Sequence, residues 1–338
     1  MKKVLAFVLA LVVTLSLAAC SSGTAPTESA VQSSENAASV STGTESSAPA
    51  ASTTKGGHVF GYTCMDMTNP FHIAMRDAIK AAVEANGDKL IAIDGAMDQT
   101  KQNNAIDDLI TQGIEALFLN PCDSKGVKPA LEACKAANIP VINVDSGVAD
   151  TDMIATFISS NNYQAGKLCG EEMVKLFPDG AKICIIENPL AESVVQRVKG
   201  LEDAIKGSKV EIVGRKSIAT MDVVLSTAED LLQAHPDISA FWGLNDDVSL
   251  TILGALQSAG VANKVKVFSV DGSPSAKKSI ADKGLYATAA QSPVSIGTKA
   301  VECAYSILKG DKIEATYSID TSLVTSENVA EAGTDSWK

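Results

Sequence analysis

The chain has little positive charge. Its 28 Lys and Arg stand against 40 Asp and Glu, a formal net charge of −12, which argues against nucleic acid or an anionic lipid surface as a partner, since both need basic patches. It also lacks an apolar run of the ~20 residues that a bilayer crossing takes; the N-terminal run from Val4 to Val13 falls short of it. There is no C-x-x-C and no Cys/His cluster with metal-ligand spacing. Apart from Cys20, the cysteines Cys64, Cys122, Cys134, Cys169, Cys184 and Cys303 therefore read as small buried hydrophobes, with pairing between distant ones left open. G-x-G-x-x-G, P-loop and G-x-S-x-G motifs are absent, so nothing supports an enzyme and no cofactor or metal is expected.

What is present begins with an export signal. Lys2 and Lys3, the apolar run and Leu17-Ala18-Ala19-Cys20 mark residues 1–19 as a signal peptide. The small residues before a single cysteine resemble the bacterial lipoprotein box, which implies a lipid on Cys20 and an anchor on the outer face of the cell membrane, or its periplasmic side. An ordinary signal peptide with a chance cysteine is the alternative. Residues 20–57 are dominated by Ser, Thr, Ala, Gly, Pro and Glu without apolar periodicity, and read as a disordered tether. The remaining length suits two lobes better than one core.

From His58 onward, strand and helix signals alternate. Apolar runs at 59–62, 90–93, 116–119 and 141–144 are separated by helical stretches, among them 71–83, where Phe71, Met75, Ala78, Ile79, Ala82 and Val83 share one face. A second half repeats the plan after Ser160-Asn161, with apolar runs at 183–186, 210–213, 238–242, 265–270 and 286–290. Asn69-Pro70, Asn120-Pro121, Ser273-Pro274 and Ser292-Pro293 each place a capping side chain before a proline suited to the first helical position. Alternating βα units with short joints predict two doubly wound parallel-sheet lobes. Asp145 and Asp271 fall at carboxyl ends of strands, where open α/β sheets bind ligands. Two such ends predict two lobes facing one cleft.

From His58 to Val324 the chain resembles the ribose-binding-protein-like sugar-binding proteins, type I periplasmic binding proteins of ABC transporters. The resemblance rests on Thr68-Asn69-Pro70-Phe71, Val144-Asp145, Ala234-His235-Pro236-Asp237, Asn245-Asp246, Val270-Asp271-Gly272 and Gln291, with Arg197 three residues before Gly200. It implies a three-crossing hinge near 160/161, 291/292 and 320/321, with lobe 1 at 58–160 and 292–320 and lobe 2 at 161–291 and 321–331. It also implies capture of a sugar or polyol without catalysis, an ABC transporter permease as partner, and a monomer. The ligand-binding positions it implies are Asn69, Phe71, His72, Asp145, Ser146, Arg197, Asn245, Asp271 and Gln291. Carboxylate, amide and guanidinium groups can each hold two adjacent sugar hydroxyls, and an aromatic can cover a C–H face of the ring.

Each position also has a plainer role open to it. Asn69 suits a helix cap, Asp145 and Asp271 suit turns, Arg197 a solvated helix face, Gln291 the hinge backbone, Phe71 the core and His72 general packing. Trp242, of opposite strand parity to Asn245, reads as core. Three places depart from the ribose pattern: His72 replaces a second aromatic, Ser146 an arginine, and Ala219-Thr220-Met221 an aromatic platform. A hexose, a substituted sugar or a polyol is therefore expected ahead of ribose.

The effector core of lactose-repressor-like regulators has the same fold, but this chain carries an export signal where those carry a DNA-reading helix-turn-helix. Asp145 and Asp271 could form a glycosidase pair. A sensor presenting its ligand to a membrane receptor is the third alternative.

Overall fold

The computed structural model describes residues 57–337; the signal peptide, Cys20 and nearly all of the tether lie outside the described residues. Six strands form a first sheet: β1 (Val59–Cys64), β2 (Lys89–Asp94), β3 (Ala116–Leu119), β4 (Val141–Val144), β5 (Thr156–Ser160) and β11 (Thr316–Ile319), in the order β11-β5-β4-β3-β1-β2. Six more form a second: β6 (Ala181–Glu187), β7 (Val210–Ser217), β8 (Ala240–Gly243), β9 (Lys266–Asp271), β10 (Ala287–Ala290) and β12 (Ser322–Thr325), in the order β12-β10-β9-β8-β6-β7. The pairings are parallel except β10 with β12.

Burial on both faces explains the continuous apolar strands. In β3, Ala116 and Phe118 face the core shared with α1 (Pro70–Glu84) and α9 (Pro293–Lys309). Leu117 and Leu119 face the core shared with α2 (Gln99–Thr111) and α3 (Lys128–Ala136). The second sheet is covered by α4 (Asn162–Leu176), α5 (Glu192–Ile205), α6 (Val224–Ala234), α7 (Asp246–Ser258), α8 (Pro274–Ala281) and α10 (Val329–Ala332) around one core that holds Trp242. All six described cysteines are buried free thiols. Among the described residues no helix is long and apolar enough to cross a membrane, and no cluster of His, Cys, Asp and Glu could hold a metal.

Within the described residues the backbone passes between the sheets three times, from β5 into α4, from β10 into α9 and from β11 into β12.

One local expectation fails. Asn69, Ser273 and Ser292 cap helices that begin with proline, but no helix starts at Pro121. The Asn120 amide instead continues β3 pairing by donating to Thr63 O at 3.0 Å, and α3 begins only at Lys128 without a side-chain cap. The Asn120 side chain is turned toward Asp145 and takes no part in capping.

Candidate functional site

The carboxyl ends of the two sheets enclose a cavity of about 460 Å³. Seven of the nine candidate side chains line it: Asn69, Phe71, His72 and Asp145 from the first sheet's elements, and Arg197, Asn245 and Asp271 from the second. Ser146 and Gln291 stand behind this wall.

On the first side, Asn69 combines capping with lining. Its Oδ1 accepts from the Phe71 amide at 2.8 Å, which starts α1 at the cavity and seats the buried Phe71 ring in the wall. His72 follows on the same turn, and its Nδ1 donates to the Asp66 carbonyl at 2.8 Å. Because a carbonyl only accepts, Nδ1 carries the proton and Nε2 is left to face Asp145 Oδ2 at 3.8 Å. That distance is too long for a hydrogen bond, and the contact is an ion pair when the imidazole is protonated. Burial works against a charged His72 imidazole. The Asp145 carboxylate and the neighbouring Cys64 sulfur outweigh it and hold the imidazole pKa well above its ordinary value.

Asp145 directly follows β4 at φ +65°, a left-handed conformation that aspartate tolerates better than most residues. Its Oδ2 accepts from Asn120 Nδ2 at 2.9 Å. Its Oδ1 is buried and has no donor among the described residues. Ser146 turns away: its Oγ accepts from the Ser193 amide at 3.2 Å, across the interface between the sheets. A second such contact joins the Ser124 amide to the Leu190 carbonyl at 3.3 Å.

On the second side, Arg197 comes from α5 and is held by two hydrogen bonds, Nε to Asn162 Oδ1 and Nη1 to the Leu244 carbonyl, both at 2.8 Å. Nη2 has no acceptor among the described residues. Nη1 also lies 3.7 Å from Asp271 Oδ1. Asp271, at the end of β9, takes φ +133°, an unfavourable backbone for a side-chain-bearing residue. Gln291 Nε2 donates to its Oδ1 at 2.7 Å, so Gln291 orients the carboxylate from the crossing into α9. Burial pushes the Asp271 pKa well above the ordinary carboxylate value; Arg197 offsets part of this, and Asp246, Asp145 and Asp247 add to it. Asn245 caps α7 by accepting from the Val248 amide at 3.0 Å and lines the cavity as well.

Three supporting residues went unassigned in the sequence. Asn120 holds Asp145, Asn162 holds Arg197, and Asp246 braces the turn after β9 by accepting from Ser269 Oγ, Thr288 Oγ1 and the Ser273 amide at 2.6–2.7 Å. Asn120-Pro121 and Asn245-Asp246 were visible as motifs, but their partners are distant in sequence. Ala219, Thr220 and Met221 also reach the cavity, with Met221 exposed at its rim. The arrangement presents an orphan carboxylate oxygen from one sheet and a guanidinium with a second carboxylate from the other, a set that suits a small ligand carrying several hydroxyls.

The periplasmic binding protein domain profile matches residues 60–312. The chain is 34% identical over 280 residues to the ribose import binding protein RbsB of Bacillus subtilis, covering 82% of this chain and 90% of that protein. Its identity to the Escherichia coli ribose import binding protein RbsB is 33% over 264 residues, covering 77% and 88%. Among solved structures, an ABC transporter solute binding protein from Mycobacterium smegmatis with bound glycerol is 34% identical, with a TM-score of 0.78 over 83% of this chain and 99% of that one.

Proposed function

Since the chain belongs to the periplasmic binding protein domain family, we propose that it captures a sugar or polyol between two lobes and delivers it to the permease of an ABC transporter. It is an extracytoplasmic solute-binding protein and not an enzyme. The lobes are residues 58–160 with 292–320 and residues 161–291 with 321–331, and the ligand is held by Asn69, Phe71, His72 and Asp145 on one side and Arg197, Asn245 and Asp271 on the other. Ser146 and Gln291 act from behind, as a contact between lobes and as the orienter of Asp271. The protein works as a monomer, tethered to the membrane through a lipid on Cys20.

The observation that carries this reading is that Asp145, whose buried Oδ1 has no partner among the described residues, lines a cavity whose opposite wall holds Arg197 and Asp271. A buried acceptor without a donor costs about 1–3 kcal/mol. A ligand hydroxyl donated to Oδ1 recovers that cost only when it binds.

The carboxylates of Asp66, Asp94, Asp145, Asp222 and Asp271 outnumber the cations Arg197 and His72 in the lining, which disfavours sugar acids and sugar phosphates. Ala219-Thr220-Met221 wall the site loosely, and Ser146, where the ribose pattern has an arginine, sends no side chain into it, so a hexose, a substituted sugar or a polyol is favoured over ribose.

A thermal-shift panel of neutral sugars, polyols, sugar acids and sugar phosphates tests the assignment, because a ligand at 100 times its Kd adds about 2.7 kcal/mol of stability. A neutral hexose or polyol should raise the melting temperature most. A panel in which no neutral sugar or polyol shifts it would overturn the assignment.

A further inference from the structure

The chain's last described residues engage both sheets. After β12 it forms α10, whose Val329 packs into the second sheet's core. Gly333, at φ +71°, then turns the backbone. The Ser336 carbonyl accepts from Lys277 Nζ at 2.7 Å, and Lys277 is a buried residue of α8 on the second sheet. The next residue, Trp337, packs instead against the first sheet's core. Its indole meets the Phe71 ring edge-to-face, with centroids 5.6 Å apart and planes at 82°.

We infer that Trp337 is a positioning residue for the ligand cavity: it fixes the Phe71 ring in the cavity wall and, with Ser336, clasps the lobes together. The inference rests on the reading that the cavity holds a solute. Asn69 and Pro70 fix the backbone at Phe71, and Trp337 is the ring partner that comes from the far end of the described chain. The Phe71 ring is held between Trp337 and the His72 imidazole, whose centroid lies 6.0 Å away at 80°. Edge-to-face pairs of this kind prefer one orientation over others. Adjacent residues that engage opposite sheets respond to any change in the angle between the lobes. An aromatic merely covering surface would have no reason to do so.

The test compares the native protein with Trp337→Ala, Trp337→Phe and a chain ending at Asp335. Without added solute, small-angle scattering should show a larger radius of gyration for Trp337→Ala and for the shortened chain than for the native protein, with Trp337→Phe close to native. Hydrogen exchange at residues 70–75 should accelerate in the same two variants and be restored in Trp337→Phe. With D-ribose and myo-inositol as the added solutes, calorimetry should show binding weakened about two- to tenfold in Trp337→Ala and rescued in Trp337→Phe, the range an aromatic pair supports.

The protein has two tryptophans, and Trp242 is wholly buried in the second sheet. The difference in emission between native and Trp337→Phe therefore belongs to Trp337, and it should change when either solute binds. Unchanged scattering and exchange in both Trp337→Ala and the shortened chain would overturn the inference. A native protein that binds neither solute would count against the sugar reading alone, and the clasp would then stand or fall by scattering and exchange.

Discussion

The carbonyl oxygen of Arg197 occupies the space that a side chain on Gly166 would need: a Cβ placed there would stand 1.7 Å from it. The relationship is reciprocal, since a Cβ on Gly200 would stand 2.0 Å from the Tyr163 carbonyl oxygen. Helices α4 and α5 therefore meet backbone to backbone. That contact brings Arg197 within reach of Asn162 on α4, which takes its Nε. The glycine three residues after Arg197 is part of what aims the guanidinium.

Gly166→Ala should force α4 and α5 apart. Overpacking costs about 1–3 kcal/mol in ordinary cores, and a clash with a carbonyl oxygen belongs at the upper end or beyond. The melting temperature should fall and binding should weaken with it. Gly254→Ala is the control: it lies in α7, and a Cβ there meets nothing within 4 Å. It should stabilise the protein by about 0.5–1 kcal/mol. Thermal unfolding of the two variants beside the native protein decides the matter, and equal effects from both would remove the close-contact explanation.

Asp271 should reveal itself by a conflict between stability and binding. Its pKa is raised in the folded state, first by burial, so the folded protein takes up this proton more readily than the unfolded chain. The stability the group contributes is full below the ordinary carboxylate pKa of 3.8 and is lost as the pH rises through the higher folded value. Between those two values the group contributes less and less as the pH rises. Asp271→Asn should melt higher than native at pH 7 in the absence of solute, with the difference shrinking toward pH 4, while its solute affinity drops. Melting curves across that range test the sign; an Asn variant that melts lower at neutral pH would contradict it.

Much of the fold is legible in the sequence because its central strands are buried on two faces. β3 and β4 read as unbroken apolar runs, apart from Asn143, whose Nδ2 is spent on the Leu119 and Ser146 carbonyls. β5, β11 and β12 are harder to see. β5 carries Thr156, Ser159 and Ser160, and β11 and β12 are part-exposed edge strands of four residues each. Such short, half-polar segments gain their strand identity from a neighbour distant in sequence, as β11 does from β5.

The site follows the same division. Asp145 and Asp271 stand out because both follow apolar strands, whereas Asn120 and Asn162 act through partners 25 and 35 residues away. The Trp337 contact with Phe71 spans almost the whole described chain. No local pattern announces it.

The central claim is that one solute is gripped from both sheets at once. Calorimetric titration of the native protein, Asp145→Asn and Arg197→Ala, using the solute that gives the largest thermal shift, tests it most directly, because each variant disarms a different sheet. A hydrogen bond to a charged group is worth about 1.5–3 kcal/mol, so each variant should lose at least about tenfold in affinity with an unchanged circular dichroism spectrum. If either variant binds within about threefold of native, a difference well under 1.4 kcal/mol, the solute is not held between Asp145 and Arg197 and the account is contradicted.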